Sequence, residues 1–409
     1  MSSQEGSTKV ENDSAVPKGI GSLLGAVFLM ATSSIGPGFL TQTSVFTVRL
    51  GAAFAFAILI SILVDVAIQL NVWRVLGISG LRANELGNSV IPGLGWVMSL
   101  LVFAGGVIFN IGNIAGAGLG MNAMFGLDPK IGGAISAVIA VFIFLSKRAG
   151  VALDRIVVGL GAIMILLMLY VAIVSQPPVG DALKQTVLPE QVDFAVIVTL
   201  IGGSVGGYIT FAGVHRIIDS GQTGVENIKS ISNASVLGIV VIGIMRVLLF
   251  LAVLGVVATG VALSKDNTAA DAFYQAAGEF GLRAFGLVLW AAGLSSVIGA
   301  SYTSLTFVTT QKTDVKLRNW LTVAFIVVCT ILFLLVGAAP QKLLIFAGAF
   351  NGLILPIGFA VVMWAALFRK DLLKGYNYPV WMKVIGVIVL AGTFYMGVSS
   401  LAGLSEIWA

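Results

Sequence analysis

Charged side chains are scarce in this sequence: 23 basic and 18 acidic residues make up 10% of 409, against ~25% in an ordinary soluble domain. So few charges could not cover the surface of a soluble chain this long. A soluble globular enzyme and a disordered chain are therefore excluded. The net charge of +5 reads as loop asymmetry rather than a phosphate-binding stripe, which excludes a nucleic-acid partner. Cysteine is nearly absent too. The single Cys329 sits in an apolar run, leaving neither a disulfide framework nor a thiolate metal cluster. Histidine occurs once, as His215. There is no G-x-x-x-x-G-K-[ST] nucleotide loop, no cofactor motif and no catalytic constellation. Any pumping must then draw on an ion gradient.

What is present is apolar: 58% of the residues are hydrophobic and 50 are glycine. A membrane-crossing helix needs roughly 20 mostly apolar residues. Eleven stretches qualify: 19–45, 51–74, 92–122, 128–146, 152–175, 192–217, 230–262, 281–309, 319–339, 341–368 and 379–404. They are continuously apolar and do not alternate, so they are helices and not barrel strands. The expected class is an all-α polytopic membrane protein, multi-pass in the plasma (inner) membrane. Residues 1–18 are polar, lack a cleavable signal and are expected to form a short disordered cytoplasmic tail. With the N-terminus inside, sixteen of the 23 basic residues lie in inside segments, six outside, and Arg246 within a span. That bias favours a cytoplasmic N-terminus and, for an odd number of spans, an external C-terminus. The longest external loops, 176–191 and 263–280, are too short to be domains.

Two spans are interrupted. The first carries Gly36-Pro37-Gly38 near its middle, flanked by Ser33, Ser34, Thr41 and Gln42. Proline removes a backbone donor and clashes with the preceding turn, and glycine on both sides favours unwinding. The sixth, LIGGSVGGYITFAGVHR, has five glycines with Ser204, Tyr208 and Thr210 among them. A lone glycine of this kind mostly permits close helix packing, and Pro37 alone could be a kink. The two positions correspond, however. Spans 1–5 (19–175) and 6–10 (192–368) form two five-span units of inverted topology, with span 11 (379–404) appended. Interrupted helices at matching places of inverted halves point to the midplane site of a secondary transporter.

The chain resembles the leucine-transporter fold, and within it the Nramp divalent-metal transporters, across essentially all eleven spans. The Nramp first-span motif Asp-Pro-Gly-Asn is matched here by Gly36-Pro37-Gly38-Phe39. The third-span Asp-Leu-Ala-Glu is matched by Asn110-Ile111-Gly112-Asn113, and the sixth-span Met-Pro-His by Tyr208-Ile209-Thr210, with His215 at the second histidine. The resemblance implies the fold, a 5+5 inverted repeat plus one helix, and transport by alternating access. It does not carry over the metal ligands: the family's Asp, Asn and Met become Gly36, Phe39 and Tyr208. A transition metal needs carboxylate, imidazole or thioether donors, and neither break offers one.

An organic substrate is then expected. Without a central carboxylate the positive ends of the half-helices favour an anion, such as the carboxylate of an amino acid or related acid. Candidate contacts are Ser33, Ser34, Gly36, Gly38, Thr41 and Gln42 from span 1, and Ser204, Tyr208 and Thr210 from span 6. Phe39 and Phe211 would form an apolar wall, while Asn110, Asn113 and Asn351 either line the cavity or bridge helices. Asp65 and Arg246 are ionisable groups within spans. They serve either as a proton carrier and a carboxylate or gating residue, or as a structural brace. His215 is either a relay or gate, or a helix-end cation. The hydroxyl-rich eighth span, with Ser301, Thr303 and Ser304, resembles a sodium site of the fold, though such hydroxyls also tie helices together. The expected partners are a small solute and H⁺ or Na⁺, with no resident cofactor or metal; a monomer is compatible with this. The alternative is a divergent divalent-cation (Mg²⁺/Mn²⁺) transporter.

Overall fold

The computed structural model of the chain describes residues 20–309, 313–336 and 339–408. The tail expected at 1–18 lies outside them. Fifteen α-helices follow one another: α1 (Ile20–Ser34), α2 (Pro37–Leu50), α3 (Phe54–Ser79), α4 (Ala83–Val90), α5 (Leu94–Phe125), α6 (Pro129–Leu145), α7 (Lys147–Ser175), α8 (Val179–Val187), α9 (Phe194–Val205), α10 (Ile209–Asp219), α11 (Ile228–Ala258), α12 (Thr268–Leu305), α13 (Val315–Leu335), α14 (Pro340–Phe368) and α15 (Val380–Trp408). No strand occurs among the described residues.

By length and composition, eight helical stretches among the described residues could cross a membrane, or nine if the bent pair α7–α8 is one span. The fold class is thus as expected, whereas this criterion does not reach eleven spans. The difference lies in α1, whose apolar part is short, in the 17-residue α6, and in Pro37–Ser79, which runs through α2 and α3 with only a single 3₁₀ turn at Gly51–Ala53 between them. Two short helices were not expected. α4 and α8 are amphipathic pieces of eight and nine residues, too short to register as apolar windows. The loop expected at 263–280 is largely helical, because α12 starts at Thr268 and is interrupted at Gly278, with φ +60° and ψ −153°.

Packing follows from small residues. α12 lies along α5, and α14 along both α5 and α9. A Cβ on Gly202 of α9 would come 1.9 Å from the Gly348 carbonyl oxygen of α14. Only glycine admits that approach, and close backbone contact is how helices associate where apolar burial gives no driving force. α13 and α15 present many exposed apolar side chains, including Trp320, Leu335 and Val398. α9 and α10 are instead buried along nearly their whole length. The interrupted sixth span therefore sits at the centre of the bundle, and α2, the second half of the first, is buried at eleven of its fourteen residues.

Candidate functional site at the two helix breaks

Each expected interruption is a real one. α1 closes with the Ile35 N–H donating to Ala31 O at 2.7 Å, and Gly36 then turns extended at φ −92°, ψ −175°. Pro37 opens α2, where its missing N–H costs nothing and its fixed φ suits the first turn. The following N–H groups, of Gly38 and Phe39, have no intrahelical acceptor. α9 ends at Val205; Gly206 is extended and Gly207 takes φ +54° before α10 begins. Any side chain at 207 would be strained, and its Cβ would also strike the Asn351 amide at 1.9 Å.

The breaks face each other. The Ser34 hydroxyl donates to Ser204 O at 2.8 Å, joining the carbonyl ends of α1 and α9. Arg246 of α11, 1% exposed, donates from Nη1 to the Ser204 hydroxyl at 3.2 Å and stacks its guanidinium 4.5 Å from the Phe39 ring centroid. Asp65 of α3 lies within Coulombic reach of Arg246 and beside the same Ser204 side chain. No ion pair between the two occurs among the described residues, and the Ser204 hydroxyl, which accepts from Arg246, donates to Leu200 O at 2.6 Å. A cation at two helix C-termini is also favourable by itself.

Around this cluster several buried polar atoms have no hydrogen-bond partner. Of sixteen such buried polar atoms among the described residues, twelve belong to Ser33, Gln42, Asp65, Asn110, Asn113, Tyr208, Arg246, Thr303, Ser304 and Asn351. Buried polar atoms are nearly always satisfied, so the unpaired atoms of Asp65, Asn113, Tyr208 and Arg246 make these side chains candidate solute contacts. Arg246 leaves Nε and Nη2 unpaired. Asn113 sits by Gly36, whose Cβ would come 3.5 Å from its Oδ1, and close to Tyr208, yet neither makes a hydrogen bond. Phe109 packs edge-on against Tyr208 at 5.6 Å and also flanks Gly38. Among the described residues, no three His, Cys, Asp or Glu side chains come together as a metal-binding group.

Other candidate residues are engaged elsewhere. The Thr210 hydroxyl donates to Gln69 Oε1 at 2.8 Å, tying α10 to α3. Asn110 donates to Ser301, while Ser296 donates to Thr32 O at the end of α1. Gln42 donates to Leu344 O of α14 at 3.2 Å, and Asn351 to Gly105 O of α5. Phe211 stacks with His215 and Phe307 at one end of the bundle. There Ala83 N–H donates to His215 Nε2, and Nδ1 lies 3.0 Å from the Thr306 hydroxyl. That hydroxyl donates to Thr303 O, so the network assigns a neutral ring with its proton on Nδ1. Beside it Arg82 Nη2 donates to both carboxylate oxygens of Asp219 at 2.8 and 3.0 Å, with the Arg82 side chain 3% exposed. Arg82 was missed in the sequence, where it counts as one more basic loop residue. Phe109 and Gln69 were missed because nothing distinguishes them from packing residues in their helices.

The family model "natural resistance-associated macrophage protein-like" matches residues 27–403. An uncharacterized membrane protein of Bacillus subtilis strain 168, YcsG, is 48% identical over 389 residues, covering 95% of this chain and 96% of its own. An uncharacterized membrane protein of Haemophilus influenzae is 49% identical over 377 residues, covering 90% and 94%. Among solved structures, the manganese transporter of Eremococcus coleocola superposes with a TM-score of 0.71 at 18% identity, covering 95% of this chain and 89% of that one. MhsT in complex with L-phenylalanine gives a TM-score of 0.62 at 17% identity, covering 93% and 98%. Both likenesses concern the fold.

Proposed function

The chain belongs to the natural resistance-associated macrophage protein-like family of membrane transporters, and from that premise we propose that it carries a small organic solute bearing a carboxylate, an amino acid or related acid, together with H⁺ or Na⁺. The observation that carries this reading is Arg246: a buried guanidinium at the helix breaks with two nitrogens unpaired. A planar carboxylate is the group that a guanidinium fork binds through two hydrogen bonds. The amide and phenol groups of Asn113 and Tyr208 and the free N–H groups of α2 would orient the rest of the solute, with Phe39 and Phe109 against its apolar body.

In this reading the chain crosses the membrane eleven times as two inverted five-span units and a final span, N-terminus in the cytoplasm and C-terminus outside. The breaks act as hinges for alternating access. Asp65 moves the coupling proton, its charge felt by Arg246 across the site, so that solute and proton states are linked. If Na⁺ is the coupling ion instead, the hydroxyls of α12 and the carbonyls at the end of α1 would hold it.

A second reading, transport of a divalent cation such as Mg²⁺ or Mn²⁺, is favoured by family membership and by the fold shared with the Eremococcus coleocola manganese transporter. Among the described residues Asp65 is the one carboxylate near the breaks, and a site of this kind would have to rely on amide, hydroxyl and carbonyl oxygens. A thermal-shift screen of purified protein against amino acids, organic acids, Mn²⁺ and Mg²⁺, with and without Na⁺, separates the readings. A ligand at 100 times its Kd adds about 2.7 kcal/mol of stability. Stabilisation by an acid supports the first reading; stabilisation by metal alone rejects it.

A further inference from the structure

Beside the first break a cavity of about 330 Å³ opens between α1, α2, α7, α11 and α12. Protein interiors hold few voids larger than a water molecule; at ~30 Å³ for each water-sized group, this one has room for about eleven. Five small residues from three helices make the space: Ala31 of α1, Gly161 and Ala162 of α7, and Ala291 and Ala292 of α12. A Cβ on Gly161 would meet no atom within 4 Å. Thr32 and Ser295 bring hydroxyls to the wall, and none of the described lining residues is charged. The floor is Leu40 and Met245, both buried. They adjoin Phe39 and Arg246 in the chain, so whatever fills the cavity packs against the start of α2 and the helix that carries the guanidinium. On the wall, Ile165 is 37% exposed, and along the two helices that flank it Leu166 and Ile173 of α7 and Val240 and Ile244 of α11 are exposed too. In a membrane-embedded chain, apolar faces of this kind lie against the hydrocarbon of the bilayer.

We propose that this cavity is a lateral binding site for one hydrocarbon chain of a membrane lipid, seated against the first helix break. Apolar cavities stay dry and take up apolar guests. Walls without neighbours forfeit their dispersion contacts, so a chain lying at the mouth gains by entering. It gains nothing from burial itself, since lipid tails are as apolar as the wall, and packing alone holds it. A protein side chain that takes up the same space therefore displaces it. The site requires only the membrane and the cavity, and it holds whether the cargo is an acid or a metal.

Photo-labelling identifies the occupant. The full chain is reconstituted in phosphatidylcholine vesicles doped with phosphatidylcholine that carries a diazirine midway along one acyl chain. After irradiation, modified residues are located by peptide mass spectrometry. Leu40 and Met245 are expected to be labelled at least several-fold more than Ile326 of α13, which is also buried but does not line the cavity. Gly161→Phe should abolish labelling at Leu40 and Met245, and Gly161→Leu, a smaller filling, should lower it partway. In both variants exposed Leu335 of α13 should label as before and the unfolding temperature should not fall. Labelling of Leu40 and Met245 no stronger than that of Ile326, or labelling untouched by either filling, overturns the proposal. A diazirine-bearing amino acid that labels these residues where the lipid does not would give the cavity to the solute and also overturn it. If lipid labelling holds while no carboxylate is transported, the cavity site stands and the transport reading fails.

Discussion

At the scale of single residues, Arg246 decides most. Arg246→Lys keeps a cation at the carbonyl ends of α1 and α9 but removes the fork, so folding should persist while solute affinity falls tenfold or more. Arg246→Ala should abolish uptake; solute binding without transport would make the residue a gate. Gly36 offers the reverse test. Asp at this position would place a carboxylate beside Asn113 and press its Cβ to 2.7 Å from Ser296 Oγ. Weaker anion binding is expected, and unchanged affinity in Gly36→Asp would place the solute away from the first break. Asp371, outside the spans, predicts a different behaviour. Its hydrogen bonds to Arg369 hold the carboxyl down to about 2. A depressed carboxyl stabilises above its unfolded value of ~4 and loses that contribution only as pH falls through the folded one. Unfolding temperatures of Asp371→Asn and parent protein, followed from neutral pH downward, should therefore keep a constant offset to about pH 5.

Both breaks were legible in the sequence because proline and paired glycines have few other uses inside an apolar run. Ser34 and Ser204 were legible as polar groups at those breaks, but their direct bond was not, since it depends on how two distant helices cross. Thr210 and Asn110 carried the same polar signal, yet their side chains serve α3 and α12. Sequence marks a hydroxyl or amide in an apolar span without marking the direction in which it points.

At the scale of helices, the close approach at the first break is testable. A Cβ on Gly116 of α5 would lie 2.0 Å from Pro37 Cβ. Gly116→Ala should push α2 away, costing roughly 1–3 kcal/mol of stability and more in transport, with helix content by circular dichroism unchanged. At the His215 end, α10 is fastened to the segment before α4 by Arg82 and Asp219. Asp219→Asn strands a buried guanidinium, at a cost on the order of 3 kcal/mol. Cysteines introduced near Phe307 should then label faster from that side; unchanged labelling would mean the pair is not what closes it.

The whole molecule is a family scaffold in which, among the described residues, no three His, Cys, Asp or Glu side chains gather as a metal-binding group. The bias of sixteen basic residues against six predicts a cytoplasmic N-terminus and an external C-terminus, and a reporter fused to the C-terminus should then be active only outside the cytoplasm. The central claim concerns cargo. Purified protein in liposomes with an imposed proton or sodium gradient should accumulate a labelled amino acid or related organic acid, lose that uptake in Arg246→Lys, and leave Mn²⁺ and Mg²⁺ outside. Gradient-driven entry of Mn²⁺ or Mg²⁺, with no organic acid moving, would contradict the account.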